Sequence, residues 1–323
     1  MLTRRKAIMA AGAAALGAAS AGVAQVNPQP RLVGVLTPLM VTHLPVFFDR
    51  LRALGYEDGK NIRLMVRSAE SQFERLPDLA RELVTAKVDV IVAINTPASR
   101  AAVDATKSIP VIVTAVGDPI GAGFVSNLAR PGGNVTGLSN MAGELGGKRL
   151  SILYELAPSS KRIAVLYNPV DPVTAPQIRG IAQAAPKLGV EVRNYAVKTP
   201  ADLPETFAAM RTWRADAAIW LAGQTQLYQA GTSKLAAEYK LPVMVFGRAD
   251  VEAGGLISYV ADQSHAFLRA ADYVDTILQG TPPGQLPVEQ PTRFEFAVNL
   301  KTAKALGLKV PQTILLQATT VIE

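Results

Sequence analysis

Residues 89–119 read DVIVAINTPASRAAVDATKSIPVIVTAVGDP. The run over 89–94 is apolar and β-branched without alternation, the pattern of a strand covered on both faces. Asn95-Thr96-Pro97 interrupts it, and Pro97 suits the first turn of a helix that runs to Lys107. A second apolar run over 110–115 then ends at Gly117-Asp118-Pro119. A buried strand, a helix and another buried strand form the unit of a parallel α/β sheet.

The same alternation extends outward in both directions. On the N-terminal side lie a strand over 32–36 ending at Thr37-Pro38, a helix over 46–54 closed by Gly55, a strand over 61–67 and a helix over 73–86. The pattern pauses in a Gly-rich stretch over 121–137 and resumes. Helices are predicted over 144–156, 175–188, 203–213, 227–239, 264–278 and 300–306. Strands are predicted over 162–166, 190–195, 217–221, 242–246, 256–259 and 293–299. Because the alternation occurs on each side of about residue 140, the expected architecture is two similar, doubly wound parallel-sheet lobes. Ligands of such sheets bind at the carboxyl ends of the strands. The candidate ligand-binding residues are therefore Thr37, Asn95, Thr96, Asp118, Asn168, Gln224, Arg248 and Tyr259. Each also has a plainer reading, since Ser, Thr, Asn or Asp after a strand often only caps the next helix.

Composition and motifs exclude several functions. The 323 residues include no Cys and two His, His43 and His265, so thiolate sites and a His-rich metal centre are out. Gly121-Ala122-Gly123 matches only the start of a dinucleotide fingerprint and does not follow the first strand. There is no phosphate loop, because Gly143 to Lys148 has the wrong spacing, and no nucleophile elbow. No catalytic residue, metal or cofactor is expected.

Residues 1–24 read as a leader. Arg4, Arg5 and Lys6 precede an apolar run over 7–19, and Gly22-Val23-Ala24 supplies small residues for a cut. The pair Arg4-Arg5 resembles a twin-arginine signal, although Ala7 stands where Phe is usual. Removing the leader reduces the net charge from +7 to +4, too mild for a nucleic-acid partner.

The stretch GDPIGAGFVSNLARPGGNVTGLS over 117–139 is similar to the signature of a family of bacterial ABC-transporter substrate-binding proteins. Further blocks over 155–169, 251–259 and 286–308 resemble later family blocks in the same order, so the resemblance runs from about 31 to 323. It implies the type I periplasmic-binding fold and a relation to aromatic or branched amino-acid binders. With the signal peptide read over 1–24, it implies one lobe of 31–138 plus about 260–292 and a second of 139–259 plus about 293–323. Hinge closure on a small molecule, an amino acid or other carboxylate-bearing solute, would precede delivery from the periplasm to an ABC permease. The receptor would act as a monomer; the alternative is a sensor for a membrane kinase or chemoreceptor. Amino-acid binders tend to carry Asp-Asn-Thr where this chain has Gly223-Gln224-Thr225, and relatives often have an acidic residue where it has Arg248, so no carboxylate for an α-ammonium is evident at either place. Asp118 matches the family's Asp. Arg248 and Asp118 are thus expected to hold opposite ends of the solute; otherwise Asp118 only caps a turn and Arg248 pairs with Asp250.

Overall fold

A computed structural model describes residues 30–39, 43–169, 173–221 and 229–323. The leader and Gln224 lie outside the described residues.

Two sheets organise the chain. The first contains β1 (Arg31–Thr37), β2 (Ile62–Ser68), β3 (Val90–Ile94), β4 (Val111–Val116), β5 (Val135–Ser139) and β11 (Val288–Glu289). Its order is β11-β5-β4-β3-β1-β2, and every pairing is parallel. The second contains β6 (Arg162–Tyr167), β7 (Glu191–Ala196), β8 (Ala217–Trp220), β9 (Val243–Val245), β10 (Ile257–Ala261), β12 (Phe294–Asn299) and β13 (Thr320–Ile322), ordered β13-β12-β10-β9-β8-β6-β7.

Both faces of each sheet are covered, which explains the unbroken apolar runs. In β3, Val90, Val92 and Ile94 point to a core shared with α1 (Leu44–Ala53) and α9 (Gln263–Leu278). Ile91 and Ala93 point the other way, toward α2 (Leu76–Thr85) and α3 (Asn95–Ala105). In the second sheet, Ile163 and Val165 face α4 (Ala142–Leu156) and α5 (Thr174–Leu188). Ala164 and Leu166 face α6 (Leu203–Thr212), α7 (Gln229–Glu238) and α8 (Arg248–Glu252). Burying a side chain such as Phe47 or Phe207 stabilises by about 1.5–3 kcal/mol.

The chain passes between the lobes three times: after β5 into α4, after β10 into α9, and after β11 into β12. Helix α9 packs on α1 and on the first sheet, although a strand of the second sheet precedes it. These passages produce one departure from the all-parallel expectation: β12 runs antiparallel to β10. A strand entered from the end at which its parallel neighbours finish has to run the other way. The C-terminal α10 (Leu300–Ala305) and α11 (Gln312–Gln317) lead to β13, an edge strand too short to show a period in the sequence.

Helices α4 and α5 cross at glycines. A Cβ on Gly180 would lie 1.9 Å from the Gly143 carbonyl oxygen, and one on Gly146 would lie 2.5 Å from that of Gln177. The crossing fixes where α5 begins, at the inter-lobe face.

Candidate functional site

The strand ends of the first lobe are unusual in their backbone. Non-glycine residues with positive φ follow β2 (Glu70 and Ser71), follow β3 (Asn95, φ 68°), kink β4 (Ala115, φ 59°) and follow β5 (Met141, φ 52°). Left-handed backbone is unfavourable for residues with a Cβ and gathers where function fixes the chain. Ala115 also marks an irregularity in the β4–β5 register.

The residues that follow β3 and β4 border a cavity of about 700 Å³ between the lobes. Thr96, Pro97, Gly117 and Asp118 reach it from the first lobe, and Val173, Pro176 and Arg179 from the second. The first turns of α3 and α5 thus border it from opposite sides, bringing the positive ends of two helices toward one space. Phe73, Leu76 and Ala101 add apolar surface, and Arg81, Arg100 and Asp104 lie at its edge. Arg100 stacks over Phe124 at 4.6 Å, and Arg81 pairs with Asp78. Three arginines and two aspartates line the space, and each arginine has a carboxylate partner: Arg81 pairs with Asp78, Arg100 with Asp104 at 3.7 Å and Arg179 with Asp118 at 3.6 Å. Apolar walls with a few placed charges suit a small organic acid.

The sequence candidates separate into groups. Thr96 and Asp118 line this cavity. Asn95, half-buried, immediately precedes Thr96. Asp118 accepts the Gly121 N–H at 2.7 Å and faces Arg179 of the other lobe at 3.6 Å. Thr37 is fully buried, its hydroxyl donating to the Leu39 carbonyl. Asn168 is buried after β6. Tyr259 stacks on Phe294 with ring centroids 5.3 Å apart and packs against the core beneath α4; burial pushes its hydroxyl pKa up.

Arg248 opens α8, is 57% exposed and pairs with Glu252 at 2.7 Å. Asp250 does not take Arg248: its carboxylate accepts the Gly247 N–H at 2.8 Å. Burial raises the Asp250 pKa, opposed by that backbone bond and by Arg149. Glu295, on β12, is likewise raised by burial and then by the negative charge of Asp262; His43 and Arg248 oppose the shift.

Sequence reading missed Arg179, Arg100 and Phe73 as lining residues. Arg179 lies more than a turn inside its helix, and Phe73 opens a helix rather than ending a strand. Only packing of the lobes brings them to the same space.

The ABC transporter substrate binding protein family model matches residues 35–322. The chain belongs to that family. A tyrosine-binding protein of Clostridioides difficile is 30% identical over 274 residues, 81% of this chain and 76% of the relative. Among solved structures, an ABC domain in complex with L-Trp from Streptococcus pneumoniae is 29% identical with a TM-score of 0.81, covering 91% of this chain and 100% of that one. A ligand-free, open substrate binding protein with adhesive properties from Clostridium difficile is 27% identical with a TM-score of 0.70, covering 91% and 99%. Family membership and the two-sheet architecture agree with the type I periplasmic-binding fold expected from the sequence. In this ABC transporter substrate binding protein the candidate cavity lies in a crevice that the two lobes share. The family consists of substrate-binding proteins rather than enzymes. No described helix is long and apolar enough to cross a membrane.

Proposed function

We propose that this substrate binding protein captures an amino acid with an apolar, preferably aromatic, side chain in the periplasm and delivers it to an ABC permease. The observation that carries this reading is the inter-lobe cavity, with apolar walls, two helix N-termini and arginine–aspartate pairs at its edge. Asn95, Thr96 and Asp118 of the first lobe and Arg179 of the second are the proposed first contacts. Arg248 joins them if a ligand carboxylate replaces Glu252, an exchange made easy by the exposure of that pair. Gln224 belongs to the same proposal from outside the described residues. The tyrosine and L-Trp relatives support the ligand class.

Closure on the ligand is part of the reading. At similar identity the chain superposes better on the L-Trp complex than on the ligand-free, open relative, with TM-scores of 0.81 and 0.70. A ligand that contacts both lobes selects their closed arrangement. Calorimetric titration with L-tyrosine, L-tryptophan and L-leucine, with small-angle scattering at saturation, tests it. A smaller radius of gyration and unchanged recovered ligand are expected; chemical conversion of the ligand, or no binding by any of the three, refutes the reading. The leader over 1–24 places the mature start near Gln25, and N-terminal sequencing of a periplasmic extract checks that export, by the twin-arginine or the general route.

A further inference from the structure

A second cavity of about 410 Å³ adjoins the first. The two share Gly117, Asp118, Pro176 and Arg179 as lining residues, so the Asp118–Arg179 pair stands at their boundary. From that boundary the second cavity follows α5 toward its C-terminus, where Arg179, Gln183 and Lys187 line it from successive turns. Eight residues separate Arg179 from Lys187, about 12 Å along the helix axis. Ile120 and Leu128 border the same space from the first lobe, and Gln290 borders it from a passage between the lobes.

The two spaces differ in chemistry. Phe73, Leu76 and Ala101 wall the first. The second combines the carboxamides of Gln183 and Gln290 with an apolar edge and the Lys187 ammonium. Ile120, on that edge, is 48% exposed, an uncovered apolar side chain beside groups that can hydrogen-bond. Lys187 has no ion pair among the described residues, and Glu144 of α4 lines the cavity without pairing with it. An apolar edge with a few convergent polar groups is the make-up of a small-molecule subsite. The pair at the boundary is largely exposed, so exchanging it for ligand groups costs little.

We infer that the second cavity is a subsite for a second amino-acid residue, so that the protein also captures dipeptides whose first residue is apolar. The first side chain occupies the larger cavity, with the peptide ammonium at Asp118 and the peptide carbonyl at Arg179. The second side chain covers Ile120 and Leu128, and the terminal carboxylate reaches Lys187. The span fits. Two extended residues cover about 7 Å, and a lysine stem leaning back toward the helix N-terminus supplies the rest of the distance from Arg179. A single amino acid held at Asp118 and Arg179 stops short of Lys187. The Glu144 carboxylate favours a neutral second side chain. This rests on the proposed capture of an amino acid in the first cavity and extends the ligand class of that site.

The test is calorimetric titration of L-tryptophan, L-tryptophyl-L-leucine and the C-terminal amide of that dipeptide into wild type, Lys187→Gln and Ile120→Ser. Wild type is expected to bind the dipeptide, and to bind it about fivefold more tightly than its amide, the scale of one partly exposed ion pair. Lys187→Gln should abolish the difference between acid and amide and leave L-tryptophan affinity unchanged. Ile120→Ser should weaken both dipeptide forms about threefold and again spare L-tryptophan, as half-burial of one apolar side chain implies. Binding of L-tryptophan without binding of the dipeptide overturns the inference and leaves amino-acid capture intact. Equal wild-type affinity for acid and amide, or an acid preference that survives in Lys187→Gln, also overturns it, as does an equal loss for L-tryptophan and dipeptide in either variant. If the dipeptide binds and L-tryptophan does not, capture of the free amino acid falls and the dipeptide class stands. If no probe binds wild type, both readings fall.

Discussion

Arg179 of α5 and Asp118, just beyond β4, approach to 3.6 Å across the boundary between the two lobes. Their side chains are 61% and 41% exposed, so the pair contributes at most about 1 kcal/mol to stability. Its consequence lies in where the lobes sit. Arg179→Ala should leave the thermal midpoint nearly unchanged and increase the ligand-free radius of gyration in small-angle scattering. Asp118→Ala also removes the acceptor of the Gly121 N–H and should cost about 1 kcal/mol, visible by calorimetry. Equal melting of the two variants would refute this division of roles.

Gly117 lies close against the second lobe. A Cβ there would lie 3.0 Å from Ala142 Cβ and 3.2 Å from Val173 Cγ2. Gly117→Val should wedge the lobes apart. L-Tryptophan affinity should fall at least about tenfold, the factor set by 1.4 kcal/mol, and scattering should show no contraction at saturation. Wild-type contraction in this variant would show that the lobes do not need to meet at this point.

Gly180 tests the helix crossing rather than the site. A methyl group at 1.9 Å from the Gly143 carbonyl oxygen has nowhere to go, because the obstacle is backbone. Gly180→Ala should destabilise by about 2–3 kcal/mol in chemical unfolding. Gly189→Ala, at a helix end with φ 65° and no neighbour for a Cβ, should cost only about 1 kcal/mol. The ranking of the two is the checkable result.

The tie between α9 and β11 is sensitive to pH. Arg269 binds Glu289 through two nitrogens, at 3.0 and 2.6 Å, and Tyr273 adds its hydroxyl at 3.1 Å. The Arg269 hydrogen bonds hold the Glu289 carboxyl below the usual range, against the opposing effect of burial. A carboxyl depressed in the folded state stabilises above its unfolded pKa and loses that contribution as pH falls through the folded value. Glu289→Gln should therefore lower stability at pH 7 by about 1 kcal/mol, reduced by the partial exposure of the pair. The difference from wild type should shrink below about pH 4. Urea unfolding at pH 7 and at pH 3.5 measures both arms, and a constant difference would contradict the assignment.

The sequence by itself determined the two-lobed α/β architecture, because strands buried on both faces must be apolar throughout, as 90–94 is, and because Pro97 and Gly189 mark a helix start and a helix end locally. It also located the ends of strands, and so brought Thr96 and Asp118 to attention before any geometry was known. Tertiary structure alone decided which strand ends share a space. Thr37 and Asn168 obey the same local rule as Thr96 yet are buried, and Tyr259 stacks on Phe294, a partner set by the antiparallel return of β12. Arg179 and Arg149 sit inside helices, where a charged residue usually means a solvated face. One of them meets Asp118 of the other lobe, and the other is sealed under two strand ends. Nothing local distinguishes them, because the direction a helical side chain takes into a crevice or a core depends on how α4 and α5 cross. That crossing is set by backbone contact at Gly143 and Gly180, 37 residues apart in the chain.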